Sequence, residues 1–406
     1  MLNFHLRRIW RSIWFRPAAY AIAAVLAVIA TPTLGRLLPA EWVAAVEADA
    51  LATTLNILAS SMLAVAIFSL ATMFSAFQAA ANAATPRARP LMTEDRTAQS
   101  AISTFVGAFL FSLLGLIGVT SGLYADEGLL VLFGLTLLLV LNVVVMLIRW
   151  IERLTEFGGV EEAISAIEAA TLKAIERETT CPNLGARPLD TIPDDARPVH
   201  PKTAGYIPTI DIDALQALAE THGQTIHLPA RPGDYVGPGQ PVACITGSED
   251  IDGDILEKIV IKDRRTIEED PGFGLIAISE IASRALSASV NDPGTAISAI
   301  AANTRLMCAL SASSGDAEND AAGHVYLAPL TVEGLMIDAY RAIARDAAGK
   351  VEVGIRLQKA MGMLIAANPD RFEKAARNVS QDALIRAEAA ISHEADLDAL
   401  RQACPD

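Results

Sequence analysis

The residues best suited to bind a ligand lie in the stretch 284–296, RALSASVNDPGTA, in the C-terminal half of the chain. Asn291 and Asp292 precede a proline and a glycine, and their side-chain oxygens can accept hydrogen bonds from the free amides of a helix start. A helix N-terminus also attracts anions, and Arg284 lies one turn before it. The stretch therefore predicts either a well-capped corner or a ligand or partner site formed by Arg284, Asn291, Asp292 and Thr295.

The negative charge of Asp292 would compete with an anionic ligand, so the structural interpretation of this corner is favoured. An anion-binding hydrolase centred on Arg284 and Asp292 is a further hypothesis. The sequence contains no phosphate-binding glycine loop, no Gly-x-Ser-x-Gly and no carboxylate pair typical of catalysis. We therefore expect a protein that is not an enzyme.

The six histidines and four cysteines are not spaced as metal ligands. The sequence has no His-x-x-x-His and no Cys-x-x-Cys, and the cysteines lie far apart. His222 and His227 straddle a predicted helix end and a predicted strand, which leaves shared ligation as an unfavoured alternative. We expect no metal, no cofactor, and thiols that stay reduced in the cytosol.

Four apolar runs near the N-terminus are long enough to cross a bilayer, which takes ~20 residues. They are Ala18–Leu38, Leu51–Ala76, Ala101–Leu123 and Gly128–Ile148. The segment before the first run, FHLRRIWRSIWF, places apolar residues on one helical face and arginines on the other, which predicts an interfacial helix. A cleaved signal peptide is the alternative for the first run, but no clear cleavage site follows it.

The arginines predict the topology, because basic loops stay in the cytoplasm. They flank the spans in three groups: Arg7, Arg8, Arg11 and Arg16; Arg87, Arg89 and Arg96; Arg149 and Arg153. All three groups agree on a membrane protein with both termini in the cytoplasm, the soluble half on the same side, and the lipid bilayer as a partner.

Charge is divided unevenly along the chain. Residues 1–154 hold ten Arg, no Lys and eight acidic residues, a net charge of +2. Since the whole chain carries −15, the remaining residues carry −17. An acidic soluble half argues against a nucleic-acid partner, because phosphate binding needs clustered Lys and Arg.

The second apolar run has an unusual polar face. From Leu51 to Ala84 it contains no Gly, Pro or charge, so one helix of ~50 Å is predicted. The face comprises Ser61, Ser69, Thr72, Ser75 and Asn82, interrupted by Val65 and Phe68. Small and hydroxyl residues favour close helix packing in lipid. The alternative is a face that lines a pore in an oligomer, with Val65 and Phe68 as its constriction.

The soluble half begins with a predicted helix, 158–177, and a loop rich in Pro and Asp that we interpret as a linker. Short strands around one helix follow from Gly205, with Gly223 placed as a left-handed helix cap. The run RPGDYVGPGQPVACI resembles the hairpins of biotinyl- and lipoyl-type barrels. No Lys occurs between Lys202 and Lys258, so a swinging-arm carrier is not supported and a packing role is favoured.

After Lys262 the sequence predicts helices to the end. Two of them start at Asp-Pro-Gly, with Asp270 and Asp292 as N-caps and proline in the first turn. Amphipathic helices are predicted over Thr331–Ala348, Val351–Ala367 and Asp370–Ala390, followed by a polar, frayed C-terminus. The insert SASSGDAENDAAGH predicts an exposed loop.

The segments RRTIEEDPGFGL (Arg264–Leu275) and RALSASVNDPGTA, with the order of parts, resemble a family of bacterial predicted membrane proteins known as domain of unknown function 2254. Family members tend to have Pro after the RALS equivalent, where this chain has Ala288. The resemblance covers nearly the whole chain. It implies the architecture and the membrane location but no reaction.

These patterns predict four transmembrane helices and a cytoplasmic α+β region made of a small β-barrel-like module and an α-helical C-terminal domain. The predicted domains are 1–154, 155–204, 205–262 and 263–406. The favoured function is a homo-oligomeric, membrane-anchored assembly whose cytoplasmic domain binds a partner or senses a ligand. The alternative is an oligomeric channel lined by the second transmembrane helix.

Overall fold

A computed structural model describes residues 15–35, 46–83, 96–156, 159–311 and 323–405. These residues divide into two compact units, one that ends at Glu162 and one that starts at Ala163. Several predictions concern residues outside the described ranges: the N-terminal interfacial helix, the arginines at 7, 8, 11, 87 and 89, and most of the acidic insert.

The N-terminal unit contains four long apolar helices. They are α1 (Phe15–Gly35), α2 (Ala48–Ala83), α3 (Arg96–Thr120) and α4 (Asp126–Glu156). Each contains a segment long and apolar enough to cross a membrane. The prediction of four membrane-spanning helices is therefore confirmed by length and composition.

Helix α3 lies at the centre of this unit and contacts the other three helices. Half of its apolar window is buried, against 17–22% in the other helices. Small side chains allow the close contact with α2: Ala101 and Ala108 of α3 pack in one cluster with Ala66 of α2. At 36 residues, α2 is the long helix that the sequence predicted, about 54 Å in length.

The C-terminal unit contains two β-sheets. The five-stranded sheet has the order β1-β8-β4-β6-β2 and the three-stranded sheet the order β5-β3-β7. The strands are β1 (Arg187–Pro188), β2 (Arg197–Val199), β3 (Gly205–Ile210), β4 (Thr225–Leu228), β5 (Tyr235–Val236), β6 (Ala243–Thr246), β7 (Ile259–Lys262) and β8 (Val325–Leu327). In the larger sheet β8 pairs in parallel with β1 and β4, whereas β6 pairs antiparallel with β4 and β2.

Helix α5 (Val160–Thr180) precedes these strands, and two further helices lie between them, α6 (Ile212–His222) and α7 (Asp252–Lys258). Asp211 caps the start of α6, and Gly223 ends it at φ 61°, in the left-handed conformation that the sequence predicted. Ile226, Ile245 and Leu327 are fully buried and form one core with α6. Consecutive residues of β4 and β6 are buried, so both faces of these central strands are covered.

The described strands form no closed barrel, which corrects the expected barrel-like module. The two β-rich pieces of RPGDYVGPGQPVACI, β5 and β6, belong to different sheets. Pro238 and Pro241 between them have no N–H to donate, so a continuous hairpin ladder is disfavoured. In β3, Pro208 lies where the register with β7 shifts, as is usual for proline in a strand.

Regular structure also occurs where the sequence indicated a linker or helices alone. The Pro- and Asp-rich stretch that follows α5 (Val160–Thr180) contains the short 3₁₀ turn Pro182–Gly185 and strands β1 and β2. Strand β8 lies between two C-terminal helices and completes the larger sheet. These strands have only two or three residues, too short to show a periodic pattern of their own.

The remaining elements are six helices that pack against one another. They are α8 (Pro271–Ala285), α9 (Pro293–Ser311), α10 (Val332–Asp346), α11 (Val351–Ala367), α12 (Pro369–Ala390) and α13 (Glu394–Gln402). The two Asp-Pro helix starts and the three amphipathic helices match the prediction. The expected frayed C-terminus is wrong, because Leu397 and Leu400 are buried on one face of α13.

Candidate functional site

Two of the sequence motifs meet in the C-terminal unit. The first is the turn Arg231-Pro232-Gly233-Asp234, closed by a hydrogen bond of 3.1 Å from the Asp234 amide to the Arg231 carbonyl. Gly233 has φ +99°, a backbone conformation that glycine adopts at little cost, and proline precedes it as in a type II turn. The Gly233 amide donates to the Ile207 carbonyl at 2.7 Å, which fixes the turn against β3.

The second motif brings Asp270 against this turn. A Cβ atom built on Gly233 would lie 2.4 Å from Asp270 Oδ2, closer than real side-chain contacts allow. The absence of a side chain at Gly233 therefore leaves the space that the Asp270 carboxylate occupies. We call Gly233, Arg265, Asp270 and Asp338 the junction cluster.

Asp270 has two structural partners. Its Oδ1 accepts from the Phe273 amide at 3.1 Å, which makes it the N-cap of α8, with Pro271 in the first turn. Its Oδ2 lies 2.8 Å from Arg265 Nε and 2.7 Å from Nη2, and the guanidinium stacks over the Phe273 ring at 5.1 Å. Burial raises the pKa of Asp270, whereas the Arg265 charge and the hydrogen bonds oppose the rise.

Asp338 on α10 adds a second carboxylate. A Cβ atom on Gly272 would lie 2.8 Å from Asp338 Oδ2 and 3.3 Å from Asp270 Oδ1, so both carboxylates border the same small space. Burial raises the pKa of Asp338 to about 6, and the negative charge of Asp270 adds to the rise that Arg265 opposes. Asp270 is thus bonded to the Arg265 guanidinium at the start of α8, and Asp338 lies close enough to both for their charges to affect it.

Neighbouring charged side chains hold the two motifs in place. The turn residue Arg231 is buried and pairs with Glu178 at 3.2 Å, and its amide donates to Asp234 Oδ2 at 2.8 Å. Glu269 is half-buried beside Thr209 of β3, and burial raises its pKa although hydrogen bonds oppose the rise. The junction is thus tied to α5, to the smaller sheet and to α8.

The chemistry available to the junction cluster is the uptake and release of a proton. Its charges, two acidic and one basic, sit in a partly buried place where ionisation is linked to the packing of α8 against α10. The sequence pointed to Asp270 only as a helix cap. No sequence pattern marks Asp338 as a site residue, because a single acidic residue on an amphipathic helix is common. Its importance is visible only in the structure, where Gly272 leaves room for it beside Asp270.

The predicted corner is a capped helix start at the surface. Asp292 accepts from the Thr295 amide at 3.1 Å and from the Thr295 hydroxyl at 2.7 Å, and these bonds lower its pKa. Asn291 adopts φ 51°, and its side chain accepts a hydrogen bond from Lys350. Arg284 is exposed, on the last turn of α8. Both oxygens of Asp292 are used in capping, which favours the structural interpretation of this corner.

The polar face of α2 is divided by the packing. Ser69 is fully buried, and Val65 packs against the cluster formed with α3 and α4. Phe68 is 64% exposed, and Ser75 is exposed. The rest of the set is Ser61 and Thr72, which are half-buried, and Asn82, whose side chain lies outside the described residues. Two residues of the face are thus used for contacts within one chain.

His222 and His227, the two histidines considered above as shared metal ligands, have different partners in the structure. His222 Nδ1 is 2.5 Å from Glu249 Oε2 at the surface, whereas His227 Nε2 is 3.2 Å from the Thr246 hydroxyl and its ring stacks on Tyr326. Burial lowers the pKa of His227, against an opposing effect of Asp195. Among the residues described, no group of three His, Cys, Asp or Glu side chains is arranged to hold a metal.

Comparison with known proteins finds similarity over parts of the chain. Uncharacterized proteins of Mycobacterium bovis and Mycobacterium tuberculosis are 28% identical to it over 165 residues, which is 38% of this chain and 32% of each relative. The match thus spans about a third of the length of these relatives. No solved structure matches. The family model described as predicted membrane protein (DUF2254) matches residues 10–363. The chain therefore belongs to this family of predicted membrane proteins.

Proposed function

We propose that the protein is a homo-oligomeric assembly of the bacterial inner membrane whose C-terminal unit senses a signal in the cytoplasm. The four apolar helices support membrane insertion. The arginine groups around them support cytoplasmic termini, since basic segments remain on that side. The acidic C-terminal unit is then a soluble body anchored to the membrane by α1–α4.

The observation that carries a sensing role is the pair Asp270 and Asp338 at one guanidinium. Proton uptake by Asp338, whose pKa is raised to about 6, removes the repulsion between the two carboxylates. Because Asp270 caps α8 and Asp338 lies on α10, the protonation state is coupled to the packing of these two helices. In this proposal the C-terminal unit responds to cytoplasmic acidification.

Hydrogen exchange of the detergent-solubilised full-length protein tests the sensing role. Wild-type protein should exchange more slowly in α8 and α10 at pH 5.5 than at pH 7.5, after correction for the intrinsic pH dependence of exchange. Asp338→Asn should show the slow exchange at both values, and the exposed-loop control Asp190→Asn should behave as wild type. A corrected exchange rate in α8 and α10 that is the same at both pH values in wild type would refute the proposal.

Membrane location and topology have a separate test. A reporter fused after Asp406 should be active only on the cytoplasmic side.

The oligomeric state is tested independently. Light scattering of the protein in mild detergent should give a mass above one subunit. A strictly monomeric protein, or a reporter active only in the periplasm, contradicts the corresponding part of the proposal.

The alternative proposal is a channel lined by α2. Phe68 and Ser75 are exposed and available to a neighbouring subunit, whereas Ser69 and Val65 take part in contacts within the chain. This division supports helix packing more than a continuous polar lining. Planar-bilayer conductance that changes with Phe68→Ala would favour the channel, and the absence of conductance from reconstituted oligomers would exclude it.

A further inference from the structure

Helices α10 and α12 border an open groove on the C-terminal unit. Its volume is about 190 Å³, and its apolar lining residues include Met336, Ile337 and Val379. Charged residues line it as well: Glu333 and Arg341 on α10, and Asp382 on α12. Ile337 is 48% exposed, although it lies in the middle of a helix that is otherwise amphipathic. Along α10, the exposed Ile337 therefore lies between charges of opposite sign.

The order of residues along α10 is self-complementary. Glu333, Ile337 and Arg341 are spaced by four residues and so lie in one stripe on the helix. A two-fold axis through Ile337 exchanges the positions of Glu333 and Arg341. In an antiparallel pair of α10 helices, Ile337 of both copies would meet at the axis, and Glu333 of each copy would face Arg341 of the other.

The charges at both ends are available for such contacts. Within the described part of its own chain Arg341 has no ionic partner, and Glu333 has only Lys374, with 3.9 Å between Nζ and Oε1 and both side chains largely exposed. Exposed pairs of this kind contribute little to stability, so Glu333 can exchange Lys374 for a better-placed arginine at low cost.

We propose that this face, which we call the α10 face, docks against the same face of a second copy of the chain through a two-fold axis at Ile337. A two-fold contact joins the same patch on both copies, so the patch must be complementary to itself. The stripe formed by Glu333, Ile337 and Arg341 is self-complementary in this sense. Because the stripe combines an apolar centre with a charged rim, it has the composition of a specific interface.

The proposed contact between two α10 faces depends on the homo-oligomer proposed above. A pair of 15-residue helices buries less than the ~800 Å² per partner typical of stable complexes. The contact therefore requires the high local concentration that a shared membrane assembly provides. It positions the C-terminal units of two subunits that the membrane helices already hold together.

Cysteine cross-linking of the full-length protein in native membranes tests the contact. In a Cys181→Ser background, which lacks the exposed native thiol, Ile337→Cys should cross-link to its own copy with a short bis-maleimide. Met363→Cys on α11 is the matched control, because Met363 is 54% exposed and lies outside the α10 face. The cross-linked dimer should be at least about tenfold more abundant for Cys at 337.

Charge reversal tests the predicted pairing. In the Ile337→Cys background, Glu333→Arg or Arg341→Glu alone replaces both symmetric attractions by repulsion and should lower the dimer yield roughly tenfold. The double variant Glu333→Arg/Arg341→Glu restores opposite charges across the axis and should recover the yield. Recovery separates a two-fold contact from unfolding, which a second substitution would not reverse.

Equal cross-linking at 337 and 363, or a double variant as weak as the single variants, would overturn the inference. Light scattering then separates the two proposals. An oligomer that persists shows that the α10 face is wrong while the membrane assembly stands. A protein that is monomeric throughout overturns both.

Discussion

Gly233 and Asp270 are packed so closely that a methyl group on the glycine would lie 2.4 Å from the aspartate carboxylate. The contact joins two motifs that are separate in sequence, the RPGD turn and the EEDPG helix start. It places the N-cap of α8 against the turn before β5. The stability of the junction cluster therefore depends on a residue with no side chain.

Gly233→Ala should destabilise the C-terminal unit. Alanine at φ +99° is strained, and its methyl group would displace the Asp270 carboxylate from Arg265. The expected cost is about 2–4 kcal/mol. Thermal unfolding of the full-length protein in detergent, followed by circular dichroism, measures it. Gly239→Ala is the matched control, since a Cβ there meets nothing within 4 Å, and equal melting temperatures for the two variants would contradict the role of Gly233.

The pairing of Arg265 with Asp270 predicts a compensating pair of substitutions. Arg265→Met removes the guanidinium bonded to Asp270 and leaves that buried carboxylate beside Asp338 without a compensating charge. At pH 7.5 we expect a loss of about 2 kcal/mol, less than for a fully buried pair because Arg265 is partly exposed. Adding Asp270→Asn keeps the acceptor for the Phe273 amide, removes the uncompensated charge and should recover part of the loss in the same unfolding assay. A purely additive double variant would show that the two charges do not interact.

Asp338 predicts a pH dependence with a defined sign. The ordinary pKa of 3.8 is raised to about 6 in the folded protein, so between these values the folded state binds more protons than the unfolded state. Stability should therefore fall as pH rises from about 4 to about 6, and stay lower above that range. Asp270, whose pKa is also raised, contributes in the same direction.

Asp338→Asn should flatten this slope. At pH 7.5 the variant should be more stable than wild type by about 1–2 kcal/mol, a figure reduced for the partial exposure of the side chain. Urea unfolding at a series of pH values measures the slope, with the exposed Asp190→Asn as control. A variant less stable than wild type at pH 7.5 would show that Asp338 is held by favourable contacts instead.

The crossing of α5 and α8 depends on Gly274. A Cβ on this glycine would lie 1.9 Å from the Thr171 hydroxyl oxygen, so Gly274→Ala should force the helices apart at a cost of about 1–3 kcal/mol. Thr171→Ala removes the closest atom and should restore part of the stability. Gly253→Ala in α7 meets open space and should be neutral or stabilising by about 0.5–1 kcal/mol. Similar effects at 253 and 274 would rule out a steric cause.

The surface corner has a test that separates capping from ligand binding. Asp292→Ala removes both bonds to Thr295 and should cost about 1 kcal/mol, whereas Asp292→Asn keeps an acceptor and should cost a few tenths. Calorimetric titration with inorganic phosphate should detect no binding to wild type or to Asp292→Asn. If the neutral variant bound phosphate at millimolar concentration, the corner would instead be an anion site limited by its own carboxylate.

The parts of the fold that were predictable are those with long repeated signals. Apolar length defines α1–α4, and Asp-Pro pairs define the starts of α8 and α9, because capping and proline chemistry act locally. The two-residue strand Arg187–Pro188 and the strand Val325–Leu327 have no such signal, since pairing with distant strands stabilises them. The role of Asp338 could not be predicted from sequence for the same reason, since Gly272 and Asp270, which lie at the start of another helix, form its environment.

Strand β8 is synthesised after α8 and α9 yet pairs in parallel with β4, which precedes both. While the chain emerges from a ribosome, β1 and β4 lack their partner strand β8 until the sequence beyond α9 has left the exit tunnel. Parallel pairing over a long intervening stretch is slow. An incomplete sheet of this kind exposes an unpaired edge to neighbouring nascent chains, so truncation before Val325 should yield aggregates rather than a smaller folded protein.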